Sequence, residues 1–193
     1  MKRLVPWLAA AGVVMLAVTL VALTLQPAAV PTYPPTPPAP QEAGSALVGP
    51  VLYTVDATVA DAWRHFSFQL GSVIEGSASW DLAFRRYAIV AGAGGGILDL
   101  GEVRFDDVRS VPAAGYQANE GKADPRNPAI AAWYHYGIFT HVLNPKPHVW
   151  AVRTPAGRYA KLEMVGYYCS DSRPGCPTFR YVYQGDGSTA VAR

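Results

Sequence analysis

The chain reads RYAKLEMVGYYCSDSRPGCPTFRYVYQ from residue 158 to residue 184, and this stretch decides the fold. Side chains alternate in type along 158–168 and again along 178–184, which is the period of a β-strand with one buried face. The segment between them is short and contains proline and glycine, the residues of a chain reversal. We therefore predict that the two strands pair as a hairpin.

Cys169 and Cys176 are the only cysteines, and they flank this reversal. Outside the cytoplasm such a pair is expected to oxidise and to close a loop of eight residues. The bridge would stabilise the fold by about 2–3 kcal/mol, because it limits the freedom of the unfolded chain. A metal or redox role is the alternative, although the spacing is not C-x-x-C and there is no second pair.

The rest of the chain after residue 45 has the same character. Aromatic and β-branched residues are frequent, glycine and proline interrupt the pattern at short intervals, and long stretches of helical periodicity are missing. Further strands are predicted at 51–56, 63–70, 80–90, 97–105, 130–142 and 149–154. Residues 45–193 have the size of one domain. We predict an all-β fold, a single antiparallel β domain, and the small net charge of +2 argues against a nucleic-acid partner.

The N-terminus predicts a membrane anchor. Lys2 and Arg3 precede an apolar run, residues 4–25, which as a helix would measure roughly 33 Å and could cross a bilayer. The basic residues should stay in the cytoplasm, so that residues 1–26 form a single-pass signal-anchor in contact with lipid and the β domain is periplasmic. A cleaved signal peptide is the alternative.

Residues 27–44 contain seven prolines and predict an extended, semi-rigid stalk. At ~3.1 Å per residue the stalk could hold residues 45–193 as much as ~50 Å from the anchor. The simplest role is a spacer. The alternative is a strap laid against a partner, which an extended chain does well.

Enzyme motifs are hard to find. There is no G-x-S-x-G elbow, no H-E-x-x-H and no phosphate loop, so we predict that the protein is not an enzyme and holds no resident metal. His135 and His141 would share one face of a continuous strand but lie ~20 Å apart, whereas a bent or hairpin path would bring them together. His148 follows closely in sequence, and Met164 offers a thioether.

Several motifs together resemble the HmuY family of bacterial haem-binding proteins. In chain order they occupy residues 53–57, 63–68, 80–87, 111–116, 133, 149–157, 159–162 and 179–183. The resemblance covers nearly all of residues 45–193 and implies an all-β domain whose relatives capture haem outside the cell.

The resemblance also implies where haem would be held. Members bind the iron with two axial side chains, one in an excursion before the strand at Trp133 and one a few residues after that tryptophan. In this chain the excursion is short, residues 117–132, and contains no histidine or methionine. The second ligand position falls near Ile138, between His135 and His141. The family's haemophores are commonly lipoproteins, and this chain has no lipidated cysteine.

Two functions follow from these patterns. The first is a non-catalytic accessory or scaffold subunit, anchored by residues 4–25 in a membrane complex such as a photosynthetic or respiratory one. Its docking residues would be aromatic: Trp133, Tyr134, Tyr136, Tyr167 and Tyr168. The alternative is a haem- or tetrapyrrole-binding protein with His135, His141, His148 and Met164 as candidate ligands.

Overall fold

The computed structural model describes residues 11–19, 30–76 and 79–193. Residues 11–19 are helical, and no helix in the described ranges is long and apolar enough to span a bilayer. The predicted anchor at residues 4–25, like the alternative of a cleaved signal peptide, extends beyond the described ranges on both sides. Both therefore stay predictions.

The described part of the chain after residue 30 is built almost entirely from strands. They are β1 Thr32–Tyr33, β2 Leu47–Thr54, β3 Arg64–Ser67, β4 Ser72–Ile74, β5 Leu82–Arg85, β6 Ala88–Ala91, β7 Gly96–Asp99, β8 Tyr134–Tyr136, β9 Leu143–Pro145, β10 Val149–Arg153, β11 Tyr159–Cys169 and β12 Pro174–Gln184. A single 3₁₀ turn, Phe105–Asp107, is recorded between β7 and β8. The predicted all-β fold class is confirmed.

These strands form two main sheets and a separate hairpin. The first sheet has the order β2-β12-β11-β10-β7, and the second has the order β4-β3-β5-β6. Strands β8 and β9 pair only with each other. The predicted hairpin of β11 and β12 is confirmed and lies at the centre of the first sheet. All of these pairings are antiparallel, as predicted. The exception to the predicted antiparallel domain is β1, which runs parallel to β11.

The main core lies between the two sheets and is rich in aromatic rings. Phe179 on β12 packs 5.3 Å from Phe66 on β3 and 5.3 Å from Phe84 on β5, measured between ring centroids. Trp150 on β10 is fully buried and donates its indole N–H to the Ala129 carbonyl at 3.0 Å. Edge-to-face and offset ring contacts of this kind stabilise a core beyond the area that they bury.

The outer face of the first sheet is also covered. Residues of the loop after β7 and of the C-terminal segment, such as Phe105 and Val191, pack on it in a second apolar cluster. The sequence predicted that one face of β11 would meet solvent, but Tyr159 and Lys161 on that face are both buried. Long loops fold back over this face of the sheet and bury it. The alternation of side chains along a strand does not indicate such loops.

Lys161 occupies this second cluster as a buried cation. Its ammonium donates hydrogen bonds to the carbonyls of Phe105 at 2.8 Å and Val108 at 2.7 Å, and it lies 4.5 Å from the centre of the Phe105 ring. Loss of hydration on burial lowers the pKa of Lys161 below its ordinary value. The side chain thus holds the 3₁₀ turn against the sheet.

We expect Lys161→Met to lower the free energy of unfolding by about 2 kcal/mol, because two carbonyls lose their donor while the packed volume is kept. Urea denaturation of both proteins measures the difference. Lys146→Met is the matched control, since Lys146 is outside the second cluster. An equal change in both variants would contradict this role for Lys161.

Three predicted strands differ from the observed ones. Residues 80–90 form two strands, because Arg86 has a φ of 54° and reverses the chain between β5 and β6. The strand predicted at 97–105 ends at Asp99, after which Gly101 has a φ of 79°. Residues 130–142 were predicted as one strand, yet only β8 is extended there and the chain turns back after it. Single backbone turns leave little trace in a hydropathy pattern, above all where the turning residue, like Arg86, is not glycine.

The described part of the proline-rich segment lies along the β domain. The Thr36 amide donates to the Thr54 carbonyl at 2.9 Å, and the Thr54 amide donates to the Thr36 hydroxyl at 3.0 Å. Further on, the Gln41 amide donates to the Leu70 carbonyl at 2.9 Å. Residues 30–44 therefore differ from a projecting stalk, because an extended chain leaves its amides free to bond to a neighbouring strand.

Tyr33 fixes the start of this segment. Its ring lies over Gly166 of β11, where a Cβ atom would come within 2.5 Å of it. Any side chain at residue 166 would clash with the ring in this position, which explains a glycine inside a strand. Beside it, the predicted Cys169–Cys176 disulfide is present, with 5.0 Å between the two Cα atoms, and joins β11 to β12.

Candidate functional site

The β8–β9 hairpin is separate from the two sheets, and hydrogen bonds at its base fix it to the domain. Trp133 immediately precedes it, is fully buried, and donates its indole N–H to the Tyr87 carbonyl at 2.9 Å. On the returning strand, the Lys146 amide donates to the Trp133 carbonyl at 2.8 Å, and the Leu143 amide donates to the Tyr168 hydroxyl at 2.9 Å. The hairpin is therefore held in one orientation at its base.

The two faces of the hairpin differ. Tyr134 pairs with Pro145, His135 with Asn144 and Tyr136 with Leu143. Since side chains alternate along a strand, Tyr134 and Tyr136 share one face and His135 lies on the other. Tyr134 and Leu143 pack against the main core, whereas His135 and Asn144 are exposed. His135 consequently points away from the body of the domain.

The tip of the hairpin is apolar and exposed. Ile138 is 74% exposed and Phe139 is 97% exposed, values that packing in a core would not produce. The turn closes through the His141 amide, which donates to the Gly137 carbonyl at 2.7 Å, and His141 has a φ of 55°. Aromatic and aliphatic side chains held in water in this way are typical of a binding surface.

Tyr136 and His141 contact each other across the tip. The hydroxyl of Tyr136 is hydrogen-bonded to Nδ1 of His141, and their ring centroids lie 5.8 Å apart. Tyr136 remains 52% exposed. The chain therefore follows a hairpin path rather than one continuous strand, and this path pairs His141 with Tyr136. It leaves His135 on the opposite face.

A cleft of about 410 Å³ lies beside the base of the hairpin. Its walls are the β5–β6 turn, the excursion (residues 117–132) and β8. The residues that line it are Arg85, Arg86, Tyr87, Ala88, Ile89, Asp124, Pro125, Arg126, Ala131 and Tyr134. The lining contains three arginines and one carboxylate: Arg85 pairs with Asp124, whereas Nη1 of Arg86 donates to the carbonyls of Thr58 and Pro174. The cleft lining therefore carries a net positive charge together with apolar side chains such as Ile89 and Ala131.

Tyr134 joins this cleft to the hairpin. Its ring lies 5.8 Å from that of Tyr87 in an edge-to-face contact. Loss of hydration raises the pKa of Tyr134, the neighbouring Tyr87 raises it further, and Arg126 opposes both effects. Tyr134 therefore stays a neutral phenol on the cleft wall.

The excursion forms the other wall and is tightly tied to the domain. Asn127 is fully buried and donates through Nδ2 to the Gln117 carbonyl at 2.9 Å and to Oδ1 of Asn119 at 3.1 Å. Asn119 in turn bonds to both backbone groups of Ala91 on β6. These hydrogen bonds fix the excursion as a wall of the cleft. Residues 117–132 supply no histidine or methionine to that wall.

The other predicted ligands lie elsewhere. His148 is hydrogen-bonded through Nδ1 to both carboxylate oxygens of Asp99 at 3.0 Å and stacks on Trp150. Met164 is 4% exposed and packs in the main core. Within residues 11–19, 30–76 and 79–193, no three histidine, cysteine or acidic side chains are grouped as metal ligands would be.

The aromatic residues that the sequence suggested for docking to a partner also differ from one another in exposure. Trp133, Tyr167 and Tyr168 are all at most 8% exposed, so these three side chains are core residues and do not form a docking surface. Tyr136 was singled out only as a docking residue, and its pairing with His141 was missed. The arginines of the cleft were missed as well, because Arg85 and Arg126 are far apart in sequence and share no motif.

A larger cleft of about 710 Å³ lies between the proline-rich segment and β4. Its lining includes Pro35 and Pro37, with Asp56, Arg64 and Glu75 as charged groups. None of its recorded lining residues is a histidine, methionine or tyrosine. It offers volume without an iron ligand, so the smaller cleft is the stronger candidate.

The model of the HmuY protein family matches residues 60–181, which is more than half of the chain. The chain belongs to the HmuY family. The match includes β3 to β11, the cleft and the whole β8–β9 hairpin, so the resemblance inferred from sequence motifs is confirmed. A comparison with curated proteins found no significant match.

Several solved bacterial proteins have a similar fold. The apo HmuY analogue of Tannerella forsythia superposes with a TM-score of 0.63 at 17% identity, covering 74% of this chain and 99% of the other. An HmuY-like protein of Bacteroides vulgatus, described as a putative haem-binding protein, gives 0.62 at 17% identity, with 76% and 97% coverage. A putative lipoprotein of Bacteroides fragilis gives 0.60 at 18%, with 75% and 93% coverage. At these identities the likeness shows the fold.

Proposed function

We propose that this HmuY-family protein binds haem as its cargo, outside the cytoplasm, between the β8–β9 hairpin and the arginine-lined cleft. The observation that carries the proposal is the shared face of β8: Tyr134 lines the cleft, and Tyr136, with His141 bonded to it, follows on the same face. A donor for iron is therefore held directly beside a cleft of suitable chemistry.

The residues present fit a haem group. A porphyrin needs apolar surface for its ring, a nitrogen, oxygen or sulfur donor for its iron, and cations for its two propionates. Ile138 and Phe139 at the hairpin tip supply exposed apolar surface. Arg126 and Arg85, the latter paired with Asp124, supply the positive charge, and the Tyr136–His141 pair supplies the donor.

Family membership favours haem binding over an accessory role in a membrane complex. One of the similar solved structures is described as a putative haem-binding protein, and none of those compared is described as a subunit of a membrane complex. Three of the aromatic residues proposed for docking are core residues. A binding protein without catalytic activity is the simplest function for this set of side chains.

The location outside the cytoplasm is part of the proposal. The Cys169–Cys176 disulfide supports it, because disulfides form and persist mainly in oxidising compartments. Residues 4–25 would act as the anchor, with residues 30–44 running along the domain towards it. Protease treatment of intact spheroplasts should then remove the β domain and leave the N-terminus protected.

Titration of the full-length protein with haemin should give a saturable Soret absorbance change. We expect His141→Ala to weaken haemin binding by about 10–100-fold, the usual cost of removing a group that supports or provides a metal ligand. His135→Ala is the matched control, because His135 lies on the opposite face of the same hairpin. Absence of saturable binding by the unmodified protein would overturn the proposal.

A further inference from the structure

We propose that Tyr136 is the side chain that binds the haem iron, as a phenolate, and that His141 positions it and takes its proton. The inference rests on the proposed haem-binding function and names the ligand within that site. It departs from the candidates suggested by sequence, which were histidines and a methionine.

The position of Tyr136 supports this assignment. Tyr136 lies on β8 two residues beyond Tyr134, so the two phenols share a face and are about 7 Å apart along the strand. Tyr134 forms the wall of the cleft, and Ile138 and Phe139 lie beyond Tyr136 at the tip. Tyr136 therefore stands between the charged cleft and the apolar tip, where the centre of a flat ligand spanning both would lie.

The partner of Tyr136 supports it too. An isolated phenol is a weak ligand at neutral pH because it must lose a proton with a pKa near 10. Nδ1 of His141 is hydrogen-bonded to the Tyr136 hydroxyl, and with its own proton on Nε2 the imidazole accepts at Nδ1. On binding, the Tyr136 O–H bond breaks, the proton passes to Nδ1, an iron–oxygen bond forms and a water leaves the ferric iron.

The charges of the site agree with a phenolate ligand. A ferric porphyrin core carries one positive charge, which an anionic oxygen neutralises, and tyrosinate is an established haem ligand in catalase. The short excursion, residues 117–132, offers no histidine or methionine for the opposite side of the iron. Tyr136 would therefore supply the one anionic ligand that the hairpin offers to a ferric haem.

This ligand implies selectivity for the oxidation state of iron. Ferrous haem is one charge less positive and a softer acid, so an anionic oxygen binds it less well. One-electron reduction by dithionite should therefore weaken the iron–oxygen bond. The phenolate then recovers its proton from His141, and we expect at least a tenfold loss of affinity.

The test compares spectra of the haemin complex in the full-length protein and its variants. The unmodified protein should show a high-spin ferric spectrum with a phenolate-to-iron charge-transfer band and phenolate modes in resonance Raman. Tyr136→Phe should abolish both, while His141→Ala should keep the phenolate modes and bind more weakly. Tyr116→Phe is the matched control, since Tyr116 belongs to the second cluster on the other side of the first sheet.

The outcomes separate the two proposals. If the unmodified protein binds haemin and Tyr136→Phe leaves the spectrum unchanged, Tyr136 is not the ligand, although haem binding stands. A low-spin imidazole spectrum that His141→Ala removes would assign the iron to His141 and overturn the inference. If the unmodified protein does not bind haemin at all, the proposed function itself fails.

Discussion

Trp133→Ala should destabilise the protein by about 3–5 kcal/mol, the usual cost of replacing a buried tryptophan with alanine. The side chain is fully buried, and its ring packs 5.2 Å from that of Tyr134 and 5.9 Å from that of Tyr167. Its indole N–H also satisfies the Tyr87 carbonyl. The substitution therefore opens a cavity and removes the donor that bonds to the Tyr87 carbonyl.

The same variant should lose haemin binding, because Trp133 fixes the base of the hairpin against the β5–β6 turn. Urea denaturation followed by far-UV circular dichroism measures the free energy of unfolding. Trp133→Phe is the matched control: it keeps most of the packing and loses the hydrogen bond, for an expected cost of about 1–2 kcal/mol. A change below about 1 kcal/mol for Trp133→Ala would show that the hairpin base is not an anchor.

Asp81 should contribute a loss of stability as the pH rises from acid to neutral. Its side chain is 7% exposed, and Oδ2 accepts a hydrogen bond from the Phe68 amide at 2.7 Å. Loss of hydration raises the pKa of Asp81 from 3.8 to about 6, although hydrogen bonds from Phe68, Ser67 and Gln69 lower it in part. The folded state therefore favours the protonated carboxyl.

The sign of the effect follows from the two pKa values of this carboxyl. Below about pH 4 the carboxyl is protonated in both states and costs nothing, whereas above about pH 6 the folded protein must hold it ionised. Stability is thus lost as the pH rises from about 4 to about 6. At about 1.4 kcal/mol per pH unit over this range, the loss amounts to about 3 kcal/mol.

Comparison with Asp81→Asn isolates this effect from other titrating groups. Asparagine still accepts from the Phe68 amide but cannot ionise. The difference in free energy of unfolding between the two proteins should shift by about 3 kcal/mol between about pH 4 and about pH 7, in favour of the variant at the higher pH. A difference that does not change with pH would mean that Asp81 is hydrated in the folded protein.

The sequence predicted the centre of the fold well, because local chemistry decides it. Alternating side chains specify β11 and β12, and the turn residues and Cys169 and Cys176 specify how they pair. The strand β10 was found for the same reason. The N-terminal half was predicted less accurately, since its strands are short and the turn at Arg86 has no glycine to mark it.

The candidate site depends on tertiary structure. Residue spacing could not show whether His135 or His141 faces the domain, because that depends on where the chain turns back after β8. Similarly, Arg85 and Arg126 meet only when the excursion packs beside the β5–β6 turn.

What the sequence by itself determined is the β class, the central hairpin, its disulfide and the membership of the HmuY family. These depend on residues close together in the chain or on motifs kept in order. Only the tertiary structure decided that Tyr136 and His141 form a pair beside a basic cleft, and that residues 30–44 lie along the domain. Contacts between distant segments are set by packing, and packing reflects the whole chain at once.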